Sequence, residues 1–211
     1  SHVMHGTTVA TNTVLTASGA RVGLVTTKGY KQVLQIARSY VPGGLGGWVL
    51  SNKSEPLATL ELTIEADERI GAKGEIVQPL DEEALKQSLK ALSQQGIEAL
   101  TVSLMNAYAN GTHEERVRQI ADSIFPDIPI SISSEVVPEM YEYERTETTV
   151  VNSYIRPVVS TYIENLEAEL NRRMSGMQLH ILRSDGGLAS AQAAKEAPVN
   201  LLMSGPAGGV S

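Results

Sequence analysis

Apolar positions recur along the chain in two periods, and the switches between them mark the elements. Ala20 to Thr27 (ARVGLVTT) is a nearly unbroken apolar run rich in valine, bounded by Gly19 and Gly29. That pattern predicts a strand buried on both faces. Before it, Thr7 to Ser18 carries Val9, Val14 and Leu15 among threonines and reads as a short helix stopped by Gly19. After it, Tyr30 to Arg38 places Val33, Leu34 and Ile36 on one side, as a helix would. Val41 to Trp48 (VPGGLGGW) then holds four glycines and a proline in eight residues. Glycine loses too much entropy to sit in regular structure at that density, so this is a loop. Thr59 to Ala66 alternates Leu60, Leu62 and Ile64 with Glu61, Thr63 and Glu65, a half-exposed strand of period two. A turn at Ala72-Lys73-Gly74 returns Glu75 to Gln78 as its partner strand.

The second half repeats a layered rhythm. Asp81 is placed to cap a helix from Glu82 to Gln95, with Leu85, Leu89 and Leu92 on one face and Gly96 as its stop. Ile97 to Met105 (IEALTVSLM) is a second buried strand. Thr112 and Glu115 have capping-box spacing before a helix from His113 to Phe125. Pro126 ends it, and Ile128 to Ser133 is a third strand. Strand, helix, strand, helix, strand from Glu75 to Ser133 predicts an α/β layer structure. The longest helix runs from about Thr146 to Met174. Its ridge, Val150/Val151, Tyr154/Ile155, Val158/Val159, Tyr162/Ile163, Leu166 and Leu170, keeps steps of three and four. Pro157 lies inside it, at a cost of roughly 3 kcal/mol, so a kink or two helices meeting at Arg156 are expected. Gln178 to Leu182 is a strand, Ala189 to Glu196 a short helix ended by Pro198. Two lobes are expected, residues 1–78 with the glycine-rich loop and a β-hairpin, and 79–211 with the long helix.

Composition narrows the classes. The chain has 211 residues, 42% apolar and 19% charged, with a net charge of −7. This is an ordinary globular composition. The negative balance argues against a nucleic-acid surface, which needs a basic face. With no cysteine in the chain, disulfides, thiolate metal sites and cysteine nucleophiles are excluded. No run of eighteen apolar residues suggests a membrane span, and a cytoplasmic location is expected. Both ends look cut, as an internal piece would.

Three segments could carry chemistry. His5-Gly6-Thr7-Thr8-Val9-Ala10-Thr11-Asn12 puts hydroxyls and free amides at a helix start, which suits an anion; Thr7 or Thr8 could equally be a plain helix cap. Ser184-Asp185-Gly186-Gly187 follows a strand, where glycines let a ligand approach the backbone. The alternative there is a tight turn with Asp185 capping the next helix. Ser204-Gly205-Pro206-Ala207-Gly208-Gly209-Val210 lacks a Walker pattern and suits close packing of two backbones. His113 and His180 stand alone in sequence, so no metal site is expected. Glu139, Glu142, Glu144 and Glu147 beside Arg145 read either as paired carboxylates for acid–base work or as a solvated helix face. No catalytic constellation is assigned.

Taken in order, HGTTVATN, ARVGLVTTKGY, ERIGAKGEIVQPLDEE, GIEALTVSLMNAYAN, SSEVVPEMYEYERTETTVVNSYIRPVV, SDGGLAS and LLMSGPAGGV resemble the hydantoinase A family. That family includes 5-oxoprolinases, N-methylhydantoinases and acetone and acetophenone carboxylases. The resemblance covers nearly the whole chain. It implies an actin/Hsp70-like fold of ribonuclease H-like units, here partial, with mixed sheets flanked by helices. It implies use of ATP and Mg²⁺ to phosphorylate a carbonyl oxygen of a cyclic amide or ketone, opening the carbon to water or the enol phosphate to carboxylation. It implies a hydantoinase B-type partner subunit or domain. The family's two Asp-Gly-Gly-Thr-like phosphate loops are not among these segments; Ser184-Asp185-Gly186-Gly187-Leu188 departs from them at Leu188. Tight nucleotide binding by this chain alone is therefore not expected. By the same resemblance Thr7, Thr8, Asn12, Ser184, Asp185 and Gly186 are cleft-lining candidates. Ser204, Gly205, Pro206, Ala207, Gly208 and Gly209 match the family's hinge or connecting segment. A hydrolase is the leading expectation, a ketone carboxylase and a nucleotide-switch module the alternatives. The stretch Arg38 to Trp48 departs from the Arg-Pro-rich segment of hydantoinases and oxoprolinases.

Overall fold

A computed structural model of the chain describes residues 2–38, 54–173 and 176–204. The expected loop at Val41 to Trp48 and the segment Gly205 to Gly209 lie outside them. Contacts group the chain into two compact units, but not at 78/79 as expected. One unit is residues 22–150; the other joins residues 1–21 to 151–211. Strand pairing joins segments far apart in the chain, as β1 (His2–His5) pairs with β8 (Gln178–Leu182).

The central unit is built on a four-stranded parallel sheet in the order β3-β2-β6-β7. Its strands are β2 (Val22–Thr27), β3 (Thr63–Ala66), β6 (Ala99–Ser103) and β7 (Ile130–Ile132). Strands β2 and β6 are buried at every residue. They are covered on both faces, which explains their unbroken apolar runs. The alternation at Thr59 to Ala66 has a different cause from the one expected. Leu60–Leu62 is a 3-10 turn and only Thr63–Ala66 is strand, an edge parallel to β2. The partner of β5 (Ile76–Gln78) is therefore β4 (Arg69–Ile70), antiparallel. The helix expected over Tyr30 to Arg38 shrinks to α2 (Val33–Ile36).

Helix α3 (Glu82–Ser93) begins as its sequence predicts. The Asp81 carboxylate accepts the Ala84 N–H at 3.0 Å, and Leu85, Leu89 and Leu92 are buried. Gly96 takes φ +66 beyond its end, a left-handed conformation that glycine adopts without penalty. Helix α4 (Thr112–Asp122) does not form the expected capping box. Both the N–H and the hydroxyl of Thr112 donate to Asn110 Oδ1, and Glu115 is exposed. The neighbouring Glu114 turns inward instead. These helices close the core with Val25, Leu100, Val102, Val117, Ile120 and Phe125.

Buried polar groups bind the carboxyl ends of β6 and β7 together. Glu114 accepts from Leu104 N at 2.8 Å, Ser133 Oγ at 2.6 Å and Ser134 N at 2.8 Å. Ser133 opens the short helix α5 (Ser133–Val136). The fully buried Arg145 donates to Ser133 Oγ at 3.1 Å, Leu104 O at 2.7 Å and Glu139 O at 3.1 Å. Its guanidinium also lies 5.6 Å from the centre of the Tyr108 ring. Arg145 is thus a structural cross-link, while Glu139 beside it is exposed and Glu142, Glu144 and Glu147 are half-buried. Likewise His113 is not alone: its Nδ1 lies 2.7 Å from Glu68 Oε2, both buried, and Glu68 also accepts the Thr27 hydroxyl.

Helix α6 (Glu142–Arg173) is continuous through Pro157, so the two-helix alternative does not hold. It buries Val150, Tyr154, Ile155, Val159 and Ile163, and also the polar Thr146, Thr149, Asn152 and Ser153. The terminal unit holds a three-stranded sheet, β1-β8-β9. Strand β1 (His2–His5) runs parallel to β8 (Gln178–Leu182), which turns back antiparallel into β9 (Leu188–Ser190). Helix α1 (Val9–Leu15) follows β1, and α7 (Ala191–Glu196) follows β9. A 3-10 turn at Pro198–Leu201 comes next. Among the described residues no helix is long and apolar enough to cross a membrane.

Candidate functional site

Parallel pairing of β1 with β8 sets His5 opposite Ile181. The residues after each strand therefore leave the sheet at the same edge. Gly6 to Thr8 follow one, Arg183 to Gly186 the other. Ligands of open α/β sheets bind beyond the carboxyl ends of parallel strands, so both sequence-derived segments occupy the favoured edge.

The link between them runs through residues 200–204. Ser184 donates from its backbone N–H to Asn200 O at 2.8 Å. Its hydroxyl lies 2.8 Å from the same oxygen and is also bonded to Leu202 O. Further on, Met203 N donates to Thr11 Oγ1 at 3.2 Å, and the buried Ser204 hydroxyl donates to Thr7 O at 3.0 Å. Met203 itself has φ 67, a strained backbone for a residue with a side chain. The segment is therefore held at both ends, to β8 by Ser184 and to α1 by Thr7 and Thr11.

The candidate side chains divide by what they already do. Thr7 is buried and its Oγ1 accepts the Val9 N–H at 3.2 Å, so it supports the helix start. Thr8 occupies the cap position, yet its side chain makes no capping bond. Its hydroxyl is exposed and lies 3.4 Å from Asn12 Nδ2, also exposed. Asp185 accepts from Gly187 N at 3.0 Å and pairs with Arg183 at 2.8 Å. It makes the tight turn but does not cap the next helix. Ser190 does that, accepting from Ala193 N at 3.2 Å. The turn enters a hairpin, and Gly186 takes φ +81 within it, which a side chain would strain.

Sequence reading missed the residue that holds this edge from behind. Asn152 of α6 is fully buried. Its amide donates to Glu196 O and its carbonyl accepts from Val199 N, both at 3.1 Å. It thereby fixes the 3-10 turn from which Asn200 and Leu202 reach Ser184. The signal was an amide set among the apolar ridge residues of a helix, where an unpaired side-chain amide is costly.

Mg²⁺ would need a set of free carboxylates, and the edge does not offer one. Among the described residues no group of three or more His, Asp or Glu could hold a metal ion, and the Asp185 carboxylate is engaged by Arg183 and Gly187. These residues do not fit a Mg²⁺ site.

Residues 1–125 match the family model described as the hydantoinase/oxoprolinase N-terminal region, and residues 145–211 match that of hydantoinase/oxoprolinase. An uncharacterised protein of Methanocaldococcus jannaschii is 33% identical over 98% of the chain, which spans 31% of that protein. The caprolactamase subunit alpha of Pseudomonas jessenii is 32% identical over 97% of the chain, which spans 29% of it. The solved ATP-dependent caprolactamase from the same organism superposes with a TM-score of 0.87 over 98% of this chain and 30% of its own, with 32% identity. A nucleotide-free structure of acetone carboxylase, from work on ATP-dependent acetone carboxylation, superposes at 0.88 over 99% of this chain and 31% of its own, with 25% identity. At these scores the chain shares their actin-like α/β fold.

Proposed function

We propose, from the premise that this chain belongs to the hydantoinase/oxoprolinase family, that it is part of an enzyme that uses ATP to open a cyclic amide. The observation that carries this reading is the shared edge of β1 and β8. There an exposed hydroxyl and amide, Thr8 and Asn12, stand beside a turn pinned through residues 200–204. In this reading Thr8 and Asn12 line the cleft and orient a carbonyl or phosphate oxygen. Ser184, Asp185 and Gly186 shape the neighbouring wall, and Ser204 to Gly209 act as the hinge segment of the full protein. Enzymes gain much of their rate by such positioning. The nucleotide and its Mg²⁺ belong to other residues of the full protein, and the partner is a hydantoinase B-type subunit or domain. The subunit names of the caprolactamase and acetophenone carboxylase relatives support an assembly of more than one subunit.

The caprolactamase relative favours hydrolysis, since its solved structure is 32% identical to the chain where that of acetone carboxylase is 25% identical. The fit to acetone carboxylase supports a second reading, ATP-dependent carboxylation of a ketone. The two separate in one assay. The full-length protein with its partner subunit is given ATP with hydantoins, lactams, 5-oxoproline or ketones, with and without bicarbonate. Amide-dependent ATP hydrolysis without bicarbonate is expected. Turnover only with a ketone and bicarbonate replaces the first reading by the second. No substrate-stimulated hydrolysis on any of them leaves a nucleotide-switch module.

A further inference from the structure

His180, alone in the sequence, is not alone in the sheet. Strand β1 pairs in parallel with β8 so that His2 stands opposite Gln178 and Met4 opposite His180. Residues two apart share a face of a strand, so His2, Met4, Gln178 and His180 project from one side. Burial agrees with this. His2, Met4 and Gln178 are exposed and His180 is half-buried, whereas Leu179 and Ile181, which alternate with His180, are buried. His2 and His180 are therefore diagonal neighbours across the strand pair, within reach of each other's side chains.

The two rings meet by nitrogen. His2 Nδ1 lies 3.2 Å from His180 Nε2. The ring centres are 5.2 Å apart and the planes are tilted by 53°, so edges approach and not faces. An exposed hydrogen bond between two neutral rings contributes little, because water competes for it. The same nitrogens have the spacing of a chelate. Two Zn–N bonds of about 2.0–2.1 Å at a tetrahedral angle hold their nitrogens about 3.3 Å apart. Bonds of that length at neighbouring corners of a square-planar ion need about 2.9 Å, a poorer match.

The backbone beneath the pair is fixed. Strand β8 is the middle strand of its sheet, bonded to β1 on one side and to β9 on the other. Ligands carried by such strands hold their geometry better than ligands on loops. The chain's other two histidines are engaged elsewhere: His5 Nε2 lies 2.7 Å from the Tyr162 hydroxyl, and His113 Nδ1 lies 2.7 Å from Glu68. Beside the pair, Met4 is 70% exposed, so the open coordination positions face water. Two imidazoles with no carboxylate among them suit Zn²⁺, whereas Mg²⁺ takes oxygen ligands.

We infer that His2 and His180 form a two-imidazole site for Zn²⁺ across β1 and β8, completed by water. The proton between the rings passes to water, and one is gained at the far nitrogen of the same ring. Two neutral imidazoles then each give a lone pair to the ion, and no net proton is released. His2 opens β1, at the end away from Gly6 to Thr8, so the site is separate from the proposed cleft and does not rest on the proposed function.

The test is an NMR titration of the 211-residue chain with zinc chloride, followed at the imidazole C–H signals of its four histidines. Saturation near one equivalent is expected, with His2 and His180 shifted and His5 and His113 unmoved. Magnesium chloride over the same range should move none of them. His2→Gln and His180→Gln should each weaken Zn²⁺ binding at least about tenfold, because the second ring binds intramolecularly. Without Zn²⁺ both variants should melt as the wild-type chain does, since neither ring is fully buried. No saturable shift at His2 and His180 overturns the inference, as does an equal response to Mg²⁺. Unaltered Zn²⁺ binding in His180→Gln also overturns it, and marks chelation by His2 with the chain's free amine. The titration is repeated on the full-length protein, where loss of the His2 and His180 response overturns the site as a property of the whole protein.

Discussion

The ring of Tyr154 lies where a side chain on Gly19 would stand: a Cβ built there would meet Tyr154 Cε1. The backbone is tied at the same place, since Ala20 N donates to Tyr154 O at 2.9 Å. The left-handed residue near the end of α1 is Ala17, with φ 51, so Gly19 is required for close approach and not as a helix stop. Gly19→Ala should destabilise the chain by about 1–3 kcal/mol through overpacking. Urea unfolding measures this. Pairing it with Tyr154→Leu should recover part of the loss, and simple additivity of the two would contradict the contact.

Capping chemistry separates two helix starts that look alike in sequence. Asp81→Ala should cost about 1 kcal/mol, because the Ala84 N–H loses its acceptor. Glu115→Ala should stay within about 0.5 kcal/mol, because that exposed carboxylate closes no capping box. Equal losses in denaturant melts would show that α4 is capped after all.

Glu114 predicts a pH dependence. Burial raises its carboxyl above the usual range, against the pull of the donors at Ser133, Leu104 and Ser134. A raised folded value means that the native state holds the proton more tightly than the unfolded chain does. The resulting stability is fully present below the unfolded value of about 4.3 and is lost as pH rises through the higher folded value. The stability advantage of the wild-type chain over Glu114→Gln should therefore shrink as pH rises above that point. Urea melts across a pH series check it; an advantage that grows with pH would invert the sign.

Thr8 and Thr7 should behave differently. The Thr8 side chain makes no capping bond, so Thr8→Val should change stability by no more than about 0.5 kcal/mol. On the proposed function, the same substitution in the full-length protein should lower substrate-stimulated ATP hydrolysis about 3- to 10-fold, the worth of one hydrogen bond. Thr7→Val should cost stability instead, since its Oγ1 serves Val9 N. Unchanged turnover in Thr8→Val removes Thr8 from the cleft.

Much of the fold was legible because its signals are local. Burial on both faces made β2 and β6 apolar without interruption, and Asp81 with Gly96 bracketed α3. The edge strand β3 misled because Leu60 and Leu62 belong to a 3-10 turn whose apolar spacing imitates alternation. The cleft segments were legible as strand-end loops with hydroxyls and glycines. Their neighbourhood was not, because it depends on the parallel register of β1 with β8, far apart in the chain.

By itself the sequence determined the family, the α/β class and most strands and helices, since periodicity, caps and ordered motifs are properties of short stretches. Only the tertiary structure decided how the chain divides, that Arg145, Glu114 and Asn152 are buried cross-links, and that Ser184 and Thr7 are held by one segment. A buried charge or amide is tolerated only when distant partners satisfy it, and nothing in a linear pattern says which partners the fold will bring.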